Sequence, residues 1–146
     1  MSEHFQIEGL KELEQKLIDL GRKDAQKVMK RALRKAAGPV AAAAKSLAPV
    51  RTGALQRSIK IRAGKSGKGR VSIIVGTAKK WFTGAFFYAA FQEFTHYIGS
   101  RKLGNKRHVY QGLHFMERAF DSTKGQALAI AEQELKNGIE AAAEQK

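Results

Sequence analysis

The histidines stand at positions 4, 96, 108 and 114, and no two share the i, i+4 spacing that places a pair of metal ligands on one helix face. Between residues 71 and 120 the carboxylates are Glu93 and Glu117 alone. Paired acid/base chemistry therefore has few candidates, and a metal-dependent nuclease would lack acidic ligands near its basic surface. The chain has no cysteine, which excludes disulfides, thiolate nucleophiles and cysteine-based zinc sites, and it has no Gly-x-Ser-x-Gly. Gly64-Lys65-Ser66-Gly67-Lys68-Gly69-Arg70 invites comparison with a phosphate-cradling loop. The P-loop, however, needs a glycine five residues before its Gly-Lys-Ser, where this chain has Ile59. It also needs a helix afterwards, where Val71, Ile73 and Val75 alternate as a strand does. The segment is expected to be a flexible hairpin tip whose Lys65 and Lys68 touch phosphates loosely at most. No enzyme activity, cofactor or metal is expected.

Charge is the outlying property. Lys and Arg number 27 against 13 Asp and Glu, a net charge of +14. The excess is uneven: residues 1–70 are net +11, residues 71–120 net +5 and residues 121–146 net −2. Such a surface meets nucleic acid or an acidic protein, or else is a solvated, self-repelling face with no specific partner, and composition leaves these open. The candidate assembly or DNA-facing cations are Lys30, Arg31, Arg34, Lys35, Lys65, Lys68, Arg101, Lys102, Lys106 and Arg107. The acidic end offers counter-charge: Glu132, Glu134, Glu140 and Glu144 are expected to meet the basic 23–35 segment of a neighbouring copy. No apolar run approaches the ~18 residues of a membrane span. Met1-Ser2-Glu3-His4 lacks the basic and apolar regions of a secretory signal, so synthesis in the cytoplasm is expected. A length of 146 residues suits a single domain over 1–146 with a real core.

The elements that would position these residues follow from apolar spacing. Leu10, Leu13, Leu17 and Leu20 predict a short helix ending at Gly21, a C′ glycine, after a Phe5-Gln6-Ile7 triplet that could add a small strand. Val28, Ala32, Ala36, Val40, Ala43 and Leu47 form the stripe of a long basic helix over 22–47. Gly38-Pro39 is expected to kink or restart it without moving the stripe. Pro49 should stop the helix, and Thr52-Gly53 should turn the chain with Gly53 at positive φ. Alternation then predicts a strand over 55–63, with Leu55, Ile59 and Ile61 on its apolar face, and a second strand over 71–76. Residues 77–84 read as a loop with Lys79-Lys80-Trp81. Phe87, Ala90, Phe91 and Phe94 fit a helix, while Phe87, Ala89 and Phe91 fit a strand equally well. The aromatics there are expected to be core rather than a base-stacking platform. Residues 96–112 are basic, glycine-containing and aperiodic, and are expected to be a flexible loop. A final helix runs from about 114 to 143.

In this order the pieces resemble the tail-completion, or minor tail, proteins of long-tailed bacteriophages, the gene-ten-like neck family. The most specific part is Ala44-Lys45…Ala48-Pro49-x-Arg51-Thr52-Gly53-x-Leu55-x-x-Ser58-Ile59. Tyr88-Ala89-x-Phe91-x-Glu93-Phe94 and Phe115-Met116-Glu117-Arg118-Ala119 add weight by their order. The chain departs from the family pattern at Thr95, where a glycine is usual, and at His114, where a proline is usual. The resemblance implies an α+β fold: a small antiparallel sheet backed by a long N-terminal helix and a C-terminal helix, related to tail terminators. It implies a structural virion protein that forms a homo-oligomeric ring at the head–tail junction, with DNA passing through. Its partners would be head-connector and tail-terminator or tail-tube proteins, and no membrane is involved. It also implies that Pro49, Thr52, Gly53, Leu55 and Ser58 determine the fold and bind no ligand. The competing readings from the residues are a sequence-independent nucleic-acid-binding protein and, more distantly, a small regulator with an acidic partner.

Overall fold

The computed structural model describes residues 10–67, 69–77, 85–98 and 108–144, with backbone alone for residue 10 and for 85–87. Helix α1 is Leu10–Asp19, and Gly21 ends it at φ 82°, its N–H donating to the Ile18 carbonyl at 3.1 Å. Helix α2, Arg22–Leu47, runs unbroken through Gly38-Pro39, so of the expected kink or restart the restart does not occur. The Ala48 N–H still closes on the Ala44 carbonyl at 3.0 Å, and Pro49 follows at once. Helix α3 is Ala54–Ser58, strands β1 and β2 are Lys60–Ala63 and Ile73–Gly76, and helix α4 is Ala85–Glu93. Strands β3 and β4, His96–Ile98 and His108–Tyr110, precede the long helix α5, Phe115–Ala143.

Helices α2 and α5 pack antiparallel and form the spine. Val28 meets Gly138 at one end, while Ala44 and Ala48 share a core with Phe115 and Ala119 at the other. The contact is close because the facing residues are small. Ala25, Ala32, Ala36 and Ala44 are buried on α2, and a Cβ at Gly138 would lie 2.7 Å from Val28 Cγ1. A salt bridge of 2.7 Å from Lys35 Nζ to Glu134 Oε1 ties the two helices at mid-length. Leu13 and Leu20 of the α1 segment form a small core with Ile139, and the main core joins Ala44, Ala48, Leu55, Ile59, Ala89, Phe115 and Ala119. The fold is α+β, helices dominating, as the resemblance implies.

Among the described residues the strands form two separate antiparallel pairs. In the first, Lys60 faces Gly76 and Ala63 faces Ile73. Its turn is a hairpin tip as expected: Gly64 N–H donates to the Ser72 carbonyl at 2.8 Å, and Gly67 and Arg70 pair. In the second, His96 faces Tyr110 and Ile98 faces His108.

Four expectations need correcting. Of the aromatics in 85–94 expected as core, Tyr88, Phe91 and Phe94 are exposed. Residues 55–63 are not one strand. Gly53 starts a helical turn, and the Arg57 N–H donates to its carbonyl at 3.1 Å, so the strand begins only at Lys60. The burial of Leu55, Ser58 and Ile59 has the i, i+3, i+4 pattern of a helix face, which an alternation count over nine residues cannot see. The second strand begins at Ile73 rather than at 71. The 96–112 segment carries a short hairpin rather than only loop, with the Tyr110 hydroxyl donating to Gln92 Oε1 at 2.9 Å and the Phe91 and His96 rings edge-to-face at 4.6 Å. The open choice for 85–94 resolves as helix. Phe5-Gln6-Ile7, Lys79-Lys80-Trp81, Lys68 and the stretch with Arg101, Lys102, Lys106 and Arg107 lie outside the described residues.

Candidate functional site

The joint between α2 and β1 is a compact turn of hydrogen bonds. Gly53 sits at φ 69°, ψ −1°, the left-handed conformation expected of it. The Ala54 N–H donates to Thr52 Oγ1 at 3.4 Å, and Arg57 Nη2 donates to the Thr52 carbonyl at 3.1 Å. Ser58, itself buried, donates from Oγ to the Leu55 carbonyl at 2.6 Å. Gln56 reaches back to the Lys45 carbonyl at 2.9 Å, tying the turn to the end of α2. Pro49, Thr52, Gly53 and Leu55 line a cleft of about 260 Å³ with Arg51 and Tyr88. Gly53→Val is expected to destabilise the protein by ~1–3 kcal/mol, because a β-branched residue is strained at this φ. Its new Cβ would also press on Arg57 Nη1, 2.9 Å away. Coincident thermal melts of the variant and wild type would remove the special-turn account.

A second constellation forms where α4 meets the start of α5. Glu93, 9% exposed, accepts hydrogen bonds on its two carboxylate oxygens from the Met116 N–H at 3.0 Å and the Glu117 N–H at 3.3 Å. A helix start leaves such N–H groups without intrahelical partners, and a carboxylate there also meets the positive end of the helix dipole. Backbone bonds reinforce the junction: Leu113 N–H to the Gln92 carbonyl at 2.7 Å, and His114 N–H to the Glu93 carbonyl at 3.2 Å. His114 itself lies at φ 48°, ψ 39°. Proline is fixed near φ −65°, so proline could not take the conformation that His114 adopts at this helix start. Sequence reasoning weighed Glu93 as an acid/base candidate and as part of the Tyr88–Phe94 motif, and missed its capping role. The available signal was a lone carboxylate within an aromatic run, where a buried charge must find partners. Glu93→Ala is expected to cost ~2 kcal/mol, from losing a cap and orphaning two donors, with Glu93→Gln intermediate in chemical denaturation.

Among the described residues the candidate cations do not form one cluster. Lys30, Arg31 and Arg34 are exposed along α2, whereas Lys35 is bound to Glu134 of its own chain. Lys65 lies in the β1–β2 turn, bordering a shallow depression with Arg70. The expected counter-charge is partly used internally: Glu134 takes Lys35, and Glu132 takes Lys136 at 2.7 Å, which raises the Lys136 pKa above its ordinary value. Glu140 and Glu144 stay exposed. Among the described residues no group of His, Asp or Glu could hold a metal ion, and no helix is long and apolar enough to cross a membrane. Apolar surface is plentiful instead. Tyr97, Ile98 and Val109 are exposed on the second hairpin, Phe94 beside it, and Phe120 on α5. Exposed apolar residues of this kind are features of a surface that meets other surfaces.

Searches of curated proteins and of solved structures return no match. A family model described as "Bacteriophage HK97-gp10, putative tail-component" matches residues 11–94, from α1 through the joint to the end of α4. With more than half of its length matched, this chain belongs to the HK97-gp10-like family of bacteriophage tail components.

Proposed function

We propose that the protein is a structural subunit of the phage head–tail junction, acting in tail completion or head–tail joining. Several copies close into a ring between head-connector and tail-terminator or tail-tube proteins, and the genome passes through it. The protein is made and assembled in the bacterial host cytoplasm, resides in the virion, and needs no catalytic group. The observation that carries this reading is the family match over residues 11–94. The exposed apolar residues of the second hairpin and of α5 support it, because surfaces of this kind seek partners. Copies of charge +14 repel one another, so ring closure at low salt needs counter-charge from neighbours, and raised salt should promote oligomers of the free protein. The deciding experiment is electron microscopy of particles assembled without this protein. Heads and tails that fail to join, restored by supplying the gene in trans, are the expected result. Normal infectious particles lacking the protein would overturn it.

The exposed basic face of α2, including Lys23, Lys27, Lys30, Arg31 and Arg34, favours a second reading, sequence-independent nucleic-acid binding. A protein that neutralises several phosphates loses roughly three to five decades of affinity between 50 and 200 mM salt. That salt slope on duplex DNA is the signature to look for, and a ring subunit need show little affinity as a free chain.

A further inference from the structure

The α2–α5 spine is covered at its ends and open between them. At one end Leu13, Leu17 and Leu20 lie against Val28, Ile139 and Ala142 as a third layer. At the other, α3 and α4 close over Phe115. Between these lies a groove of about 490 Å³, walled by Leu33 and Val40 of α2, Phe120 and Leu128 of α5, and Ile73 of β2. Phe120 is 54% exposed, so its ring is a half-finished contact rather than core. Lys124 is the charged residue that lines the groove.

We propose that this groove docks an acidic amphipathic helix of another virion protein, an inference that rests on the protein being a virion subunit. The shape favours a helix. Ala36, Ala37, Ala127 and Ala131 line the groove and let a third backbone approach the seam closely. The α5 wall from Met116 to Ala131 is roughly 22 Å long at ~1.5 Å per residue, the reach of about four helical turns. The chemistry favours an apolar stripe, since the lining offers almost nothing for a polar ligand to bond. The charge favours acid. Lys30 and Arg34 are one turn apart on α2 and each stands three residues before a lining residue, Leu33 and Ala37, so they flank the groove; both are exposed, and neither makes an ion pair among the described residues. The acidic stretch of a second copy, residues 121–146 at net −2, is already packed against its own α2, and nucleic acid gains nothing from an apolar floor.

The probe is a fluorescein-labelled peptide of Leu and Glu, about 18 residues patterned as an amphipathic helix and so roughly 27 Å long, with a Leu/Lys peptide as its counterpart. Fluorescence polarisation with the full chain should show binding of the Glu peptide, weakened by salt, and none of the Lys peptide. Phe120→Glu and the surface double variant Lys30→Gln/Arg34→Gln should each weaken it by about tenfold or more, with circular dichroism unchanged. No binding of the Glu peptide, equal binding of the Lys peptide, or affinity untouched in the double variant overturns the proposal. So does self-association of wild type that Phe120→Glu abolishes, since the occupant would then be a second copy. In particles, the Phe120→Glu protein should be missing where wild type is present. Incorporation of both overturns the groove and leaves the virion reading standing, whereas absence of wild type from particles overturns the virion reading itself.

Discussion

Gly112→Ala is expected to lower stability by about 3 kcal/mol and the melting temperature by roughly 6–12 °C, although it adds one methyl group to a half-buried loop. The glycine is not needed for its φ but for its space. A Cβ there would lie 2.3 Å from the Glu93 carbonyl oxygen, 2.6 Å from the Phe94 carbonyl carbon and 2.7 Å from the Thr95 nitrogen, all backbone atoms that cannot rotate away. The 111–114 segment would have to lift off the end of α4 by about an ångström, since real side chains do not approach so closely. Lifting it strains the bonds from Leu113 N–H to the Gln92 carbonyl and from Gly112 N–H to Thr95 Oγ1, at 2.7 and 3.1 Å. It also displaces the Glu93 carboxylate from the start of α5, so the loss is shared among several bonds of ~0.5–1.5 kcal/mol each. Gly125→Ala is the control. That glycine sits within α5 with nothing within 4 Å of its would-be Cβ, so alanine should stabilise by ~0.5–1 kcal/mol through helix propensity. Melts in which the two variants behave alike would show that the close approach at Gly112 is not a constraint.

What the sequence revealed depended on how far apart the deciding residues lie. The α2 stripe, the stop at Pro49 and the positive φ of Gly53 are local, and alanine spacing or a proline followed four residues on by a glycine suffices to read them. The turn of helix at Ala54–Ser58 was hidden because Leu55, Ile59 and Ile61 also alternate, and only a partner across the core shows that Leu55 and Ile59 face it together. The pairing of 96–98 with 108–110 was hidden for a similar reason. Three-residue strands carry too few positions to show a period, and their anchors, Gln92 and Phe91, sit on another element. The basic residues were visible as a composition, but not that Lys35 would be taken by Glu134, a partner 99 positions away. The apolar groove had no sequence signal either, since Leu33 and Leu128 read equally well as core.

The second large effect is expected at Phe115, where alanine should cost ~3–5 kcal/mol, a substantial part of the ~5–15 kcal/mol that holds a typical domain folded. Phe115 is 1% exposed and, with Ile59, is one of the largest fully buried side chains. Its neighbours come from separate elements: Ala44 and Ala48 from the end of α2, Leu55 and Ile59 from the joint, and Ala89 from α4. A cavity walled by several elements collapses poorly, because no single one can move in without leaving its other contacts, and that places the cost toward the top of the range. Most of the wall is alanine, so no long side chain is at hand to swing into the space. In urea the midpoint should fall sharply with little change in slope, since the surface exposed on unfolding is nearly the same. Phe120→Ala, five residues on and 54% exposed, should move it by less than ~1 kcal/mol. The contrast also tests whether segments far apart in the chain cooperate. Ala48, Leu55, Ile59, Ala89, Phe115 and Ala119 come from segments far apart in the chain, yet they make one core. If Phe115→Ala and Phe120→Ala unfold at the same urea concentration, those segments do not cooperate through that core, and the joint must be held by its hydrogen bonds alone.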